Sequence, residues 1–392
     1  MKILTFFLAL TFMITSCSTS NKISRSTIES NEKFAAEQYK ILMKNTPADV
    51  MPVNYDPANN NLKTGKTDWW TSGFYPGSLW LIYKATKDPV IKEEAEKRLK
   101  LQESIKYFTD NHDIGFMIFC SFGTAYDITK KPEYKDVIMT AAETATKRYN
   151  PAMQSIKSWN KSQKYTAPVI IDNMMNLELL EWATQQGGDR KYAEIARNHA
   201  NTTLKNHFRP DNSSYHVVDY NPETGAVLKK VTHQGYADES AWARGQAWGL
   251  YGYTMMYRFT KNNKYLDHAN KIASFILNHP NLPKDKIPYW DFNAPDIPGA
   301  KRDASAGAIM ASALLELAQY GSGSLKKKYI DDAAAMIKAL STTYRSAPGA
   351  NKGFILQNSV GHLPGNSEVD VSLTYADYYY LEALDRYKRW VL

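Results

Sequence analysis

Hydrophobic positions recur along this chain in paired segments, the first apolar and aromatic, the second amphipathic and charged. A short break rich in Lys, Asn, Asp, Gly and Pro separates the two segments of each pair. The breaks read YKATKDPVIKEE, YDITKKPEYKDV, WATQQGGDRKYAEI, YRFTKNNKYLDHA and AQYGSGSLKKKYID. Apolar residues spaced three and four apart predict helices, and the break residues are typical helix ends. The pattern therefore predicts a series of helical hairpins.

Five hairpins are visible in this pattern, and the chain ends can supply a sixth. A final helix over about 371–388 can pair with an N-terminal helix over about 27–44. A segment that is apolar on every side must be buried, whereas an amphipathic one keeps a face for water. Six such hairpins predict an all-α fold, an (α/α)6 barrel in which inner helices lie inside an outer ring. Strand signals are confined to SYHVVDY and AVLKKVTH.

The first 17 residues have the anatomy of a signal peptide. A lysine precedes an apolar run from Ile3 to Ile14, and small residues lead into Cys17. The run is too short to span a membrane, and a cysteine after small residues is typical of a bacterial lipoprotein. We expect residues 1–17 to be a lipoprotein signal ending at an acylated Cys17, 18–27 a tether and 28–392 one catalytic domain. Plain secretion with an incidental cysteine is the alternative.

This reading places the protein in a bacterial cell envelope, anchored by lipid to a membrane. No acidic run follows Cys17, which favours the periplasmic face. The composition is that of a soluble globular protein, with 43% hydrophobic and 22% charged residues among 392. Loss of residues 1–16 lowers the net charge from +8 to +7, and the basic residues are dispersed. This dispersal argues against nucleic-acid binding and favours a small anionic substrate.

A carboxylate precedes every predicted inner helix. In the predicted barrel the inner helices run in one direction, so these carboxylates would gather at one mouth. Any single aspartate there is explained as an N-cap, which stabilises a helix by about 1 kcal/mol. Together, neighbouring charges and burial could divide a pair into a proton holder and an anion, as acid catalysis on a sugar requires. The residues are Asp68, Asp113, Asp172, Asp238 with Glu239, Asp303 and Asp370.

The stretch 233–252, HQGYADESAWARGQAWGLYG, is the richest in candidate chemistry. If its helix begins near Glu239, then Ser240, Arg244 and Trp248 share one face. An arginine within an apolar helix must be paired, either with a protein carboxylate or with a substrate carboxylate. No metal-ligand spacing, nucleophile elbow or phosphate-binding glycine loop is present, so neither a metal nor a cofactor is expected.

Six segments, taken in order, resemble the unsaturated glucuronyl hydrolases of glycoside hydrolase family 88. They are WWTSGFYPG, HDIGF, IIDNMMN, HQGYADESAWARGQAWGLYG, KRDASAGAI and VDVSLTYADYYYLEAL, over about 60–390. The resemblance implies an (α/α)6 barrel that removes a 4,5-unsaturated uronic acid from the non-reducing end of polysaccharide-lyase products, here of glycosaminoglycan type. Unsaturated rhamnogalacturonyl hydrolases of family 105 share this fold and chemistry. A non-catalytic glycan-binding lipoprotein is the alternative from another class.

The resemblance also implies roles for individual residues. Asp172 is expected to be the general acid and base, and Asp113 its partner, which if ionised would raise the pKa of Asp172. The implied reaction is hydration of the C4=C5 enol ether, with a proton added at C4 and water at C5. The residues implied to line the sugar site are Trp70, His216, Gln234, Arg244 and Trp248.

Overall fold

Helices form most of the chain. The computed structural model describes residues 22–392, so the predicted signal peptide and Cys17 lie outside the described residues. No helix in this range is long and apolar enough to cross a membrane. The helices are α1 Arg25–Asn45, α2 Phe74–Thr86, α3 Pro89–Gln102, α4 Ile114–Ile118, α5 Thr124–Thr129, α6 Pro132–Thr146, α7 Asn173–Gln185, α8 Arg190–Asn206, α9 Ala243–Thr260, α10 Asn263–Asn278, α11 Ala304–Leu317, α12 Gly323–Leu340 and α13 Thr374–Trp390.

These helices pair into six hairpins that close into a ring. The inner members are α2, α4 with α5, α7, α9, α11 and α13, and each packs against the next until α13 returns to α2. A π-helical turn over Phe119–Gly123 joins α4 to α5. Every residue of α11 is buried, whereas α10 buries one face only. The predicted (α/α)6 barrel is therefore confirmed, and the cause is the one expected, since an all-apolar helix must be surrounded.

Three of the hairpins turn at a lysine in the left-handed conformation. Lys87, Lys130 and Lys261 have φ of 60°, 57° and 55°, and each amide donates a hydrogen bond to the carbonyl four residues earlier. Pro89 and Pro132 then occupy the first position of the following outer helix, where a missing N–H costs nothing. The breaks in the sequence pattern are thus true helix ends.

The chain ends close the sixth hairpin, as predicted. Lys388 of α13 forms an ion pair with Glu32 of α1 at 2.8 Å. Helix α1 begins at Arg25, because the hydroxyl of Ser24 accepts a hydrogen bond from the amide of Thr27 at 3.1 Å. Residues 25–27, which the sequence assigned to the tether, therefore belong to the folded domain.

Short antiparallel strands cover one mouth of the barrel. All of them lie in connections from an outer helix to the next inner helix, so they gather where the inner helices begin. The two strands predicted near 214–233 are confirmed, while the four-stranded sheet, ordered β2-β1-β9-β8, was not predicted. The strands are β1 Met51–Asp56, β2 Asn61–Gly65, β3 Tyr149–Asn150, β4 Ser155–Ile156, β5 Pro168–Ile170, β6 Val217–Tyr220, β7 Val227–Val231, β8 Ser359–His362 and β9 Ser367–Leu373.

Candidate active site

The two mouths of the barrel differ in chemistry. All six inner helices line a cavity of about 680 Å³, each with residues from its C-terminal half, as expected if these helices run in one direction. The cavity extends inward as far as Gly115 and Phe116 of α4. Charges within it are paired, for example Arg258 with Glu316 at 2.7 Å and Arg386 with Glu316 at 3.1 Å. No buried side-chain nitrogen or oxygen among its lining residues lacks a hydrogen-bond partner. This mouth therefore offers a polar ligand few unpaired buried hydrogen-bond donors or acceptors.

At the opposite mouth, several buried polar atoms lack partners. A buried group without a hydrogen bond costs about 1–3 kcal/mol, so a concentration of them points to a ligand or to water. The group belongs to residues that contact one another directly or through a shared neighbour. Its atoms are Asp172 Oδ2, His216 Nε2, Arg244 Nε, Trp248 Nε1, Tyr375 Oη and His112 Nε2.

Only three of the six predicted carboxylate positions stand at the start of an inner helix. Asp113, Asp172 and Asp303 occupy the N-cap positions of α4, α7 and α11. Of these, Asp303 alone caps its helix, accepting from the amide of Ser305 at 3.0 Å. The carboxylates of Asp113 and Asp172 make no capping bond, which leaves them available to a ligand.

The expectation is wrong for the other three positions, because turns and strands intervene before the helix. Asp68 is exposed and precedes α2 by six residues. Asp238 accepts from the amide of Thr232 at 2.8 Å within a loop, and Glu239 pairs with Arg209 at 3.1 Å.

Asp370 lies in β9, where it pairs with Lys301 at 2.8 Å. Helix α9 begins at Ala243 and not near Glu239, so Ser240 is not on its face. The hydroxyl of Ser240 instead donates to Asp291 at 2.7 Å.

Close contact between α4 and α7 brings Asp113 and Asp172 together. The amide of Phe116 donates to the side-chain oxygen of Asn176 at 2.8 Å. A side chain on Gly115 would meet this same oxygen at 2.5 Å, so only glycine allows the two helices to approach so closely. The sequence HDIGF therefore combines a carboxylate with the glycine that positions it.

Asp172 is buried and titrates near neutral pH. Burial raises its pKa to about 6. The positive charge of Arg244, its own backbone N–H and the indole N–H of Trp248 all favour the anion and limit the rise. Trp248 approaches without completing a hydrogen bond of normal geometry. His216 Nε2 lies 3.8 Å from Asp172 Oδ2. This carboxyl can both give and take a proton under physiological conditions.

Asp113 holds its proton more strongly than Asp172. Burial raises its pKa well above the usual range, and the negative charge of Asp172 raises it further, with Arg148 opposing. The sequence left the charge of Asp113 open and expected that, if ionised, it would raise the pKa of Asp172. Burial and the charge of Asp172 instead favour the acid form of Asp113 against the opposing charge of Arg148, while Arg244 favours the anion of Asp172.

Arg244 is paired with a protein carboxylate, which is the first of the two partners that the sequence left open. Its guanidinium lies 3.5 Å from Asp303 and donates to the carbonyls of Val360 and Gly361, the latter at 2.7 Å. It also stacks over the ring of Trp242 at 4.5 Å. Its Nε alone remains without a partner.

His216 and Gln234 come from the small hairpin that the sequence predicted. His216 precedes β6, and its Nδ1 accepts from the amides of His233 at 3.1 Å and Gln234 at 3.0 Å. The carbonyl of His216 accepts from the amide of Ile171 at 3.0 Å, which brings the imidazole beside Asp172. The side chain of Gln234 donates to the carbonyl of Gly361 at 3.0 Å and is thus partly committed to the protein.

An aromatic belt surrounds these polar groups. Trp70 is half-buried and packs 5.1 Å from Tyr375 and 5.8 Å from Phe116. Trp248 is fully buried and packs 5.2 Å from Phe116. The exposed part of Trp70 can stack on a sugar face, whereas Trp248 contributes its indole edge.

Four residues of this mouth were not singled out from the sequence. His112 and Tyr375 lie inside segments that carried the resemblance, HDIGF and TYADYYY, so their position beside Asp113 and Arg244 was a usable signal. Trp159 packs 5.4 Å from His233, and His362 contacts the carbonyl of His233 at 2.9 Å. Trp159 lies in a loop and His362 ends β8, and neither belongs to a segment that carried the resemblance, so only the fold could reveal them.

The family profile, the related sequences and the solved structure that match this chain all carry names of the same kind of enzyme. The family profile described as Glycosyl Hydrolase Family 88 matches residues 43–391. An unsaturated glucuronyl hydrolase from Formosa agariphila is 44% identical over 398 residues, which cover 98% of this chain and 97% of that protein. An unsaturated chondroitin disaccharide hydrolase from Streptococcus pyogenes is 36% identical, with 82% of each chain covered. The crystal structure of an unsaturated glucuronyl hydrolase specific for heparin has a TM-score of 0.90 at 43% identity, covering 93% of this chain and 98% of that one.

Proposed function

The chain belongs to glycoside hydrolase family 88, and from that premise we propose that Asp172 performs proton transfer in the removal of a 4,5-unsaturated uronic acid from oligosaccharides left by polysaccharide lyases. The protein is thus an enzyme, an unsaturated glucuronyl hydrolase in activity. One observation carries the assignment of Asp172. It is a buried carboxyl at a helix start that caps nothing, has a pKa of about 6 and lies among unpartnered donors.

The proposed chemistry uses Asp172 twice. Its acid form gives a proton to C4 of the C4=C5 enol ether, which leaves positive charge shared by C5 and the ring oxygen. The resulting carboxylate then takes a proton from water as the water oxygen bonds to C5. The hemiketal formed at C5 opens, and the rearranged sugar releases the rest of the oligosaccharide from C1. A single group with a pKa near the working pH suits both steps.

The remaining residues bind and orient the sugar. Arg244 supplies a fixed positive charge beside Asp172 and offers its Nε, while Trp248 and Tyr375 offer an N–H and an O–H. An unsaturated uronate carries one carboxylate, which these donors can bind without a mobile counter-ion. Trp70 provides the ring on which the apolar face of the sugar can stack.

Glycosaminoglycan fragments are the proposed substrate class. The Streptococcus pyogenes relative is named for chondroitin disaccharides, and the similar crystal structure belongs to an enzyme specific for heparin. Both polymers give unsaturated disaccharides after lyase cleavage. The parent polymer of this chain's substrate is decided by the experiment below.

The first experiment follows the ultraviolet absorbance of the conjugated enol-ether carboxylate. Unsaturated disaccharides from chondroitin, hyaluronan, heparin and rhamnogalacturonan are each mixed with the protein. We expect absorbance to fall with at least one glycosaminoglycan disaccharide, and not to fall with the Asp172→Asn variant. Loss with the rhamnogalacturonan product alone would assign the family 105 substrate. Binding of a disaccharide without any loss of absorbance would contradict the enzymatic proposal.

We also propose that the enzyme is lipid-anchored in the bacterial envelope at Cys17, on the periplasmic side. The support is the apolar run from Ile3 to Ile14 followed by small residues and a cysteine. Metabolic labelling with an alkyne fatty acid tests this in the expressing bacterium. We expect label in the intact protein and none in Cys17→Ser; label in both would exclude Cys17 as the site.

A further inference from the structure

We propose that two neutral histidines of opposite tautomer, His112 and His216, add to burial and charge in deciding which carboxyl of the site holds a proton. His112 turns the lone pair of its Nε2 toward Asp113, where it favours the acid form, and His216 turns its Nε2–H toward Asp172, where it favours the anion. The inference rests on the proposed function of Asp172 and adds His112 to the site as a positioning residue.

The tautomer of His112 follows from its neighbour on the far side of the ring. Nδ1 lies 3.2 Å from the carbonyl oxygen of Ser158, an atom that can only accept. The proton therefore resides on Nδ1, and Nε2 carries a lone pair. Nε2 faces Asp113 Oδ1 across 3.3 Å. The contact falls short of a hydrogen bond, and the lone pair of Nε2 repels the anion of Asp113 more than its acid form.

The surroundings of His112 exclude the doubly protonated ring. Burial above all, together with the positive charge of Arg148 and the proximity of His199, lowers its pKa to about 3, with the Ser158 carbonyl opposing. The guanidinium of Arg148 donates to this same Ser158 carbonyl at 3.4 Å and so stays close to the imidazole. A second positive charge beside this guanidinium would be repelled by it.

His216 has the opposite arrangement. Its Nδ1 accepts two backbone N–H groups, so this nitrogen carries the lone pair and Nε2 carries the proton. Nε2 faces Asp172 at 3.8 Å, where its N–H favours the carboxylate.

Burial lowers the pKa of His216 well below its usual value and keeps the ring neutral. Its charged or titratable neighbours His233, Arg244, His362 and His207 act in the same direction.

One residue, Ser158, connects both halves of this arrangement. Its carbonyl fixes His112, while its hydroxyl accepts from the amide of Ile170 at 2.8 Å, just before Asp172. The hydroxyl also donates to Asn173 at 2.7 Å. The tautomer of His112 and the position of Asp172 therefore both depend on Ser158.

The consequence is a site with one ionisable carboxyl in the working pH range. Asp113 stays neutral and does not repel an anionic sugar. Asp172 is left as the group that exchanges a proton, with Arg244 balancing its charge. This explains how an anionic substrate can enter a site that contains two aspartates.

Nitrogen-15 NMR of the histidine rings tests the proposal directly in the whole protein. The chain has eight histidines, and His112→Gln and His216→Gln assign the two signals by their loss. We expect a protonated Nδ1 for His112, a protonated Nε2 for His216, and no titration of either from about pH 5 to pH 8. The reverse tautomer at either residue, or an imidazolium, would overturn the proposal.

The infrared spectrum tests the other partner. The difference between wild type and Asp113→Asn at neutral pH should contain the carbonyl stretch of a protonated carboxyl. A carboxylate band in its place would show that Asp113 is ionised and would contradict the proposal. Neither measurement requires turnover, so failure of the absorbance assay would sink the proposed function alone.

Discussion

Asp172 occupies the N-cap position of its helix, but its carboxylate bonds none of the helix amides. It therefore remains available for chemistry. Asp303 shows the contrast, since it has the same position on α11 and spends its carboxylate on the amide of Ser305 and on Arg244. At the scale of single residues, the site is therefore defined by which hydrogen bonds are missing.

Replacing Asp172 with asparagine should abolish turnover while improving stability. We expect turnover to fall at least ~10³-fold, the upper range for a lost general acid. The pKa is raised from 3.8 to about 6, so ionisation of the buried carboxyl costs up to about 3 kcal/mol at neutral pH, a cost absent from asparagine.

Steady-state kinetics and urea unfolding at neutral pH measure both effects in Asp172→Asn. Asp88→Asn, at a true N-cap of outer helix α3, is the matched control and should leave turnover unchanged. Near-normal turnover in Asp172→Asn would end the assignment of this residue.

The dependence of activity on pH follows from this same carboxyl. The acid form of Asp172 is required first, and its pKa is about 6, raised by burial. As pH rises above that value the acid form declines ~tenfold per unit, so kcat/KM should decline in parallel. Initial rates between about pH 5 and pH 8 measure this, and a level profile to about pH 8 would contradict it.

At the scale of elements, Arg244 of α9 connects three parts of the barrel mouth. It holds β8 through two carbonyls and α11 through Asp303. Truncation leaves the Asp303 carboxylate buried and unpaired, so Arg244→Ala should destabilise the fold by about 3–5 kcal/mol and weaken activity.

Chemical unfolding together with kcat/KM checks the Arg244 prediction. Lys301→Ala serves as control because Lys301 is exposed and its partner Asp370 is only partly buried, so its loss should change stability by less than about 1 kcal/mol. Equal losses in the free energy of unfolding for the two variants would show that the buried contacts of Arg244 stabilise the fold no more than an exposed ion pair does. Unfolding without loss of specific activity in the folded fraction would remove Arg244 from the substrate site.

At the scale of the whole molecule, the two mouths have separate tasks. The mouth where the inner helices begin carries strands, loops and unmet hydrogen bonds. The mouth where they end carries a network of ion pairs within the protein, in which Arg386 bridges Glu316 and Glu382. The first suits binding and catalysis, and the second ties the ring of helices together.

Breaking the network at the far mouth should affect stability alone. Arg386→Ala leaves the carboxylate of Glu382 without its cation and leaves Glu316 with Arg258 alone, so we expect a loss of about 3–5 kcal/mol in the free energy of unfolding. KM should not change, because the network is remote from Asp172. The exposed neighbour Arg389, which pairs with Asp385, is the control, and Arg389→Ala should cost less than about 1 kcal/mol. A raised KM in Arg386→Ala would refute this separation of tasks.

The hairpins, their order and the ring they form could all be inferred from the sequence. Helix periodicity and the breaks at Lys87, Lys130 and Lys261 are local properties, expressed within a few residues of chain. Since an all-apolar helix such as α11 must be enclosed, the barrel follows from the hairpins. The gathering of the inner-helix starts at one mouth also followed from the hairpins, whereas the pairing of Asp113 with Asp172 was implied by the family resemblance.

Which of these carboxylates lack a hydrogen-bond or ion-pair partner, and which hold protons, could be learned only from the folded structure. Whether an aspartate caps, pairs or stays open depends on partners distant in the chain, such as Asp303 for Arg244 and Ser158 for His112. The four-stranded sheet joins β1 to β9 across most of the chain, a contact that no local pattern encodes. Proton positions depend in turn on burial and on neighbouring charge, and both are fixed only when the barrel closes.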